Sequence, residues 1–332
     1  MKRVLAMLLC VLMLAGCAPL QEERDDKKLN VVATVFPAYD FARAAAGELA
    51  NVELLLPPGM DSHSYEPTPA DILAVQECDL FIYLGGDTDS WVETILSAVE
   101  RKGTAMRMID CVELLAEEHV EGMQNDPGHH HDHEEACEDP EHHHDHGEEA
   151  EPHGLGEVVG MDEHVWTSPK NAAAITRAVG IKLAELDAAN AEAYTAEAET
   201  YAMKLDDLHH EFEVFFAKRP DRTIVFGDRF PLRYFAEEYE LDYYAAFPGC
   251  STQTEPSAAT VAFLTDKVRA EHIPTIWYIE FSNHLVADSI AEAAEVDTAM
   301  FHTCHNVSRE ELDAGATYLS LMRNNLETLK QH

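Results

Sequence analysis

Histidine is concentrated in one stretch of this sequence. The run His-His-His-Asp-His occurs twice, supplying His129, His130, His131 and His133, then His142, His143, His144 and His146, with His153 beyond. Neutral imidazole is the commonest borderline metal ligand and suits zinc, copper and nickel. The surrounding residues are Asp, Glu, Gly and Pro with almost no large apolar side chain, so 121–156 reads as a disordered loop. Such a tract loses ordering entropy when it closes on an ion, so it should take several ions weakly, for capture, buffering or sensing. A principal site needs isolated donors on rigid supports. His63 lies in Asp61-Ser62-His63-Ser64-Tyr65-Glu66-Pro67, between an expected strand and an expected helix. His164 lies in Asp162-Glu163-His164-Val165-Trp166-Thr167-Ser168-Pro169, just before a long helical stretch. Taken singly, each is more often a surface or capping histidine than a ligand.

The elements that would hold these donors alternate. Leu29–Val35 reads as a buried strand, followed by a helix over 37–50, a strand over 52–56, and a helix opening at Pro69 with Asp71 in its first turn. Strands at 80–84 and 106–109 complete a first series. From Ser168 to Lys218 the composition is helical, with Asp187 and Asn190 as candidate break points. A second series follows: strand 223–226, helix 231–239, strand 243–246, helix 257–270, strand 275–280, helix 285–294 and a terminal helix over 309–330. Strands alternating with helices predict an α/β fold of two lobes, each a mainly parallel sheet flanked by helices. The long helix joins them. Ligands of such sheets bind beyond the carboxyl ends of the strands, which is where His63 and His164 fall.

The chain has 332 residues, 46% of them hydrophobic, enough for a packed core. Its formal charge is −39, from 62 acids against 23 bases. A polyanion repels nucleic acid and anionic head groups, so nucleic acid is not an expected partner and cations are. At the N-terminus, Lys2-Arg3, an apolar run and Leu14-Ala15-Gly16-Cys17 form a secretory signal too short to span a bilayer. The Leu-Ala-Gly-Cys ending resembles the bacterial lipobox, which implies diacylation of Cys17; two acyl chains suffice for stable anchoring. Residues 18–28 read as a tether. The expected organisation is therefore signal 1–17, tether 18–28, first lobe 29–168, linking helix 169–218 and second lobe 219–332. An exported protein can keep disulfides. Cys250–Cys304 is the favoured pair and Cys78–Cys111 the next, with free thiols as the alternative.

The segments DSHSYEPTPADI and DEHVWTSPKNA, with TEPSAATVAFL at 254–264, IPTIWYIEFSNHLVADSIAEAA at 273–294 and YLSLMRNNLETL at 318–329, resemble the metal-binding receptor proteins of ABC importers. The acidic, His-rich insertion just before the second motif resembles the zinc branch of that family. The resemblance covers nearly the whole mature chain. It implies a monomeric Zn2+ receptor serving membrane permease subunits of the ABC type, anchored outside the cytoplasmic membrane and without enzymatic activity. It also implies that His63 and His164 are two metal ligands. The other two come from the second lobe, where this sequence departs. Phe226-Gly227-Asp228-Arg229-Phe230 stands where the family usually has a histidine or glutamate, and Asp228 is its one candidate ligand, unless it caps a turn or pairs with Arg229. Phe301-His302-Thr303-Cys304-His305-Asn306 stands where an aspartate is usual, with His305 as the choice and His302 in reserve. A His3Asp set would make a tetrahedral zinc site. Glu66, Glu255 and Glu280 are then candidates to orient the imidazoles. Closure on binding should be small, because one long helix resists hinge motion.

Three other readings compete. A zinc hydrolase needs three protein ligands and an open position, but no HExxH or Gly-x-Ser-x-Gly motif is present. A zinc buffer or adhesin would carry the same site. A manganese receptor of the same fold would favour more oxygen donors.

Overall fold

A computed structural model describes residues 28–62, 65–86, 90–98, 102–123, 160–249, 251 and 255–332. The signal segment, Cys17, His63, Cys250 and the histidines of 129–153 lie outside the described residues.

Two four-stranded sheets form the framework, and both are parallel throughout. The first contains β1 (Leu29–Ala33), β2 (Ala50–Leu54), β3 (Leu80–Tyr83) and β4 (Thr104–Arg107) in the order β2-β1-β3-β4. The second contains β5 (Thr223–Phe230), β6 (Asp242–Pro248), β7 (Thr275–Ile279) and β8 (Asp297–Phe301) in the order β6-β5-β7-β8. The same winding is used twice, so each sheet has a point where the chain order reverses, between β1 and β3 and between β5 and β7. Crevices form at the carboxyl ends of the strands there. Every residue of β3, Leu-Phe-Ile-Tyr, is buried, as a strand covered by helices on both faces must be.

The helices are α1 (Phe36–Ala46), α2 (Pro69–Glu77), α3 (Ser90–Ala98), α4 (Pro169–Leu186), α5 (Ala191–Phe216), α6 (Arg233–Glu238), α7 (Ala258–Glu271), α8 (Leu285–Ala294), α9 (Arg309–Asp313) and α10 (Tyr318–Leu329). The start read at Pro69 is correct, and Thr68 with Asp71 forms a reciprocal capping box. α1 stops short of Ala50 because Gly47, at φ +53°, turns its N–H back to Arg43 O. Gly315, at φ +77°, similarly separates α9 from α10. β8 has no counterpart among the expected strands.

The expected helix over 169–218 divides at the candidate break. Asp187 accepts from Ala189 N–H, Asn190 Nδ2 and Tyr194 O–H at 3.2, 2.7 and 3.2 Å, which fixes a turn. α4 and α5 then run antiparallel, with Arg177 of α4 bonded to Glu199 and Asp206 of α5. The element joining the lobes is therefore α5, beginning at Ala191 rather than 169. Its buried stripe is Tyr194, Ala198, Ala202, Leu205, Leu208, Phe212 and Phe216, the spacing of an amphipathic helix face. Near its start Tyr194 O–H reaches Leu49 O of the first lobe. Near its end Phe212 and Phe216 pack on Phe235 of the second lobe at 5.1 and 5.9 Å between centroids. One apolar core runs through both lobes, from Val31 and Ile82 through Trp166 to Phe226 and Phe301.

The described cysteines are unpaired. Cys304 is a free, fully buried thiol whose Sγ turns inward toward His302 O at 3.8 Å, so the Cys250–Cys304 pairing is not formed. Cys78 and Cys111 are also free, each donating to a carbonyl of its own segment, Val75 O and Arg107 O. No described helix is long and apolar enough to cross a membrane.

Candidate metal centre

His164 is placed by a short helical turn, Val165–Thr167, and by the start of α4. Ser168 caps α4 by accepting Asn171 N–H at 3.3 Å, and Pro169 takes the first position. The ring is fully buried. Asp162 Oδ1 accepts both the His164 backbone N–H at 2.8 Å and Nδ1 at 3.1 Å. That assigns the proton to Nδ1 and leaves Nε2 as a lone pair. Nε2 is buried and has no hydrogen-bond partner. A buried polar atom without a partner is rare, and a histidine oriented by a carboxylate on its far nitrogen is how metal-ligating imidazoles are held. Burial alone disfavours charge on this ring. The Asp162 carboxylate, helped by Glu163 and Glu117, outweighs that and lifts the His164 pKa above its ordinary value.

His164 lines a cleft of about 220 Å³ between the two sheets' carboxyl ends. The first lobe contributes Gly59 to Ser62, the residues leading into His63. The second contributes Arg229, Glu280, Thr303, His305 and Asn306. The His164 and His305 rings meet edge-to-face at 5.8 Å, and Trp166 lies against both, at 5.4 and 5.0 Å. Trp166 Nε1–H donates to Thr303 O at 2.9 Å, tying the first lobe's histidine turn to the loop after β8.

The approach to His63 is tied to the second lobe as well. Asn306 Nδ2 donates to Pro57 O and Met60 O, both at 2.8 Å. Ser62 Oγ and His305 Nε2 are 2.8 Å apart, and the Arg229 guanidinium meets Asp61 Oδ2 at 3.1 Å. Gly249 packs where a Cβ would crowd Phe230 O, Pro231 and the His164 ring edge.

The expected second-lobe donors fare differently. His305 lines the cleft. Asp228 is not among the lining residues. Its Oδ1 takes the Arg229 N–H at 2.8 Å, and its Oδ2 is buried without a hydrogen-bond partner. The ladder between β5 and β6 shifts register between Phe226 and Arg229, and such an irregularity re-aims side chains, here presenting Arg229 to the cleft. His302 is buried and is not among the lining residues. Its Nδ1 accepts the Cys304 N–H at 2.9 Å, which removes that nitrogen from ligation. Glu66 and Glu255 are exposed and line no part of the cleft, whereas Glu280 does line it and is 7% exposed. Glu280 directly follows β7, so its signal was the one used for His63, a donor just beyond a strand's carboxyl end. Among the described residues, no group of three or more His, Cys, Asp or Glu side chains is close enough to hold an ion. His164 on one wall and His305 with Glu280 on the other would have to draw together around it.

The family profile described as "Zinc-uptake complex component A periplasmic" matches residues 31–332. The zinc-binding lipoprotein AdcA of Streptococcus pneumoniae (strain R6) is 30% identical over 337 residues, which is all of this chain and 61% of that protein. The high-affinity zinc uptake system protein ZnuA of Bacillus subtilis (strain 168) is 31% identical over 97% of this chain and 94% of its own length. The Zn(II)-bound ZnuA-like domain of the pneumococcal protein superposes with a TM-score of 0.70 at 27% identity, covering 92% of this chain and 98% of the domain. The metal-dependent lipoprotein YcdH of Bacillus subtilis gives 0.72 at 26%, covering 92% and 99%. With the profile spanning both lobes and the cleft between them, the chain belongs to the ZnuA family of zinc-uptake components.

Proposed function

We propose that this chain is an extracytoplasmic zinc receptor that captures Zn2+ in the interlobe cleft and delivers it to an ABC-type permease. The observation that carries this reading is His164, a buried, cleft-lining imidazole with a carboxylate on Nδ1 and an Nε2 without a hydrogen-bond partner. In the proposed site, His63 and His164 come from the first lobe and His305 and Glu280 from the second. Three imidazoles and one carboxylate form an ordinary tetrahedral zinc set. Four protein donors leave no position for an activated water, which favours binding over hydrolysis. Asp228 supplies charge from beside the cleft rather than a metal bond. A histidine-rich donor set favours zinc over manganese.

Release is coupled to the permease with little lobe movement. The 57–62 segment is bonded to the second lobe through Asn306, His305 and Arg229, and wide opening would break all of these contacts. The receptor is a monomer held at the outer face of the membrane by lipid on Cys17. The His-rich segment of 121–156 gathers ions and the cleft holds one tightly. Calorimetry on a chain with 124–156 replaced by a short Gly-Ser linker tests it. One tight zinc equivalent should remain while the weak equivalents disappear. Loss of the tight equivalent, with the linker variant still folded, contradicts the reading.

A further inference from the structure

Glu280 presents an unusual carboxylate. Both of its oxygens accept hydrogen bonds from one residue, Thr303, in the loop after β8, and His302 Nδ1 lies 3.7 Å from Oε1. Thr303 N–H donates to Oε2 at 2.7 Å and Thr303 Oγ1–H donates to Oε1 at 2.6 Å. Thr303 is 2% exposed and is itself fixed from two other directions. Its carbonyl accepts the Trp166 indole N–H at 2.9 Å, and its Oγ1 accepts the His305 N–H at 3.3 Å. Since Oγ1 already accepts from His305, its one proton is left for Glu280.

Two donors on one residue can reach both carboxylate oxygens only across the edge between them. That edge is the one a bidentate metal ion would use. With it filled, a cation in the cleft can bond to Glu280 through a single oxygen, on a remaining lone pair. The carboxylate also cannot rotate without losing two charge-assisted hydrogen bonds. One-oxygen ligation beside imidazoles gives a low coordination number, as tetrahedral zinc prefers. Larger, oxygen-seeking divalent ions reach six or more contacts partly by chelating carboxylates.

We propose that Thr303 is a specificity-determining positioning residue: by occupying the chelating edge of Glu280 it makes the cleft select four-coordinate ions such as Zn2+ and Co2+ over six-coordinate Mn2+. This rests on Glu280 being a metal ligand, as proposed above.

The test uses the full mature chain and three variants, Thr303→Val, Thr303→Ser and Glu280→Gln. Zinc affinity is read by chelator competition, manganese affinity by electron paramagnetic resonance of the free ion, and geometry by the visible absorption of the Co2+ form. Thr303→Val, which keeps the backbone donor and removes the hydroxyl, should lower the zinc-to-manganese affinity ratio about tenfold or more, the usual scale for losing a group that orients a ligand. Its Co2+ absorption should weaken toward that of a higher-coordinate site. Thr303→Ser keeps both donors and should restore the parent ratio and spectrum. Should Thr303→Val fail to fold, Thr303→Ala removes the same hydroxyl and carries the same reading. An unchanged ratio and Co2+ spectrum in the hydroxyl-free variant, with Glu280→Gln weakened, overturns the role of Thr303 alone. An unchanged zinc affinity in Glu280→Gln overturns the ligand assignment beneath it.

Discussion

Replacing His164 by alanine should weaken zinc binding about 100- to 1000-fold and leave the metal-free protein folded. A structural four-ligand zinc site is worth roughly 10–16 kcal/mol, so one ligand carries about a quarter of that, on the order of 2.5–4 kcal/mol. Asp162 is committed to the opposite nitrogen and to the His164 backbone, and Trp166 offers only a donor, already used on Thr303 O. The metal-free variant loses a ring but no bond from Nε2, which has no partner to leave behind. Its metal-free melting temperature should therefore change far less than its zinc-induced rise, which should largely vanish because ligand stabilisation scales with affinity. Competition against a chelator of known strength, paired with melting curves with and without zinc, reads both quantities. A His164→Ala protein that still holds zinc as tightly as the parent contradicts the site.

The second large effect lies away from the cleft. Asp40 of α1 is 5% exposed, and Oδ2 accepts both Tyr201 O–H of α5 at 2.6 Å and Tyr318 N–H of α10 at 3.0 Å. It thus joins a helix of the first lobe, the linking helix and the terminal helix. Burial raises its pKa from 3.8 to about 6, against the lowering effects of Tyr201, Tyr318 and the charge of Arg43; its charge in turn raises the pKa of the Tyr201 and Tyr318 hydroxyls and of the Cys304 thiol. The sign follows from linkage. The folded protein binds this proton more tightly than the unfolded chain. Stability from the group is fully present below about pH 4 and is lost as pH rises through about 6. The shift corresponds to about 3 kcal/mol. Asp40→Asn keeps an oxygen for both donors and removes the buried charge. It should stabilise the protein by about 1–3 kcal/mol at pH 8, and the difference should fade near pH 4. Denaturant titrations at the two pH values measure it. A variant less stable than the parent at pH 8 would mean that the carboxylate is more than compensated by its two hydrogen bonds.

Much of the fold was legible because it rests on local signals. The buried strand LFIY, the Thr68–Asp71 capping box and the Pro169 helix start each declare themselves within a few residues. The boundary of the linking helix was half legible: Asp187 and Asn190 mark the turn, but only tertiary packing makes α4 fold back along α5. β8 was missed because Asp-Thr-Ala-Met-Phe alternates weakly, with Ala299 and Phe301 as its only buried side chains.

The site divides in the same way. His164 announces itself through its motif, and its orienting carboxylate lies two residues upstream. The second-lobe wall does not announce itself. Which of Asp228 and Arg229 faces the cleft depends on a register shift against β6, and no single-strand pattern encodes that. Glu280 was read as a supporting residue because its environment is made by Thr303, 23 residues away. The cysteine expectation failed for a related reason. Proximity in sequence to the site segments says nothing of thiol direction, and Cys304 at φ +62° points into the core.

The central claim is that one zinc ion sits between the lobes on His164 Nε2. A crystal of the zinc-loaded protein, with anomalous maps collected on either side of the zinc absorption edge, tests it most directly. The expected result is a single strong peak about 2.0–2.1 Å from His164 Nε2, with one oxygen of Glu280 at a similar distance. A peak carried by the imidazoles of 129–153, with the His164 ring left bare, would contradict it.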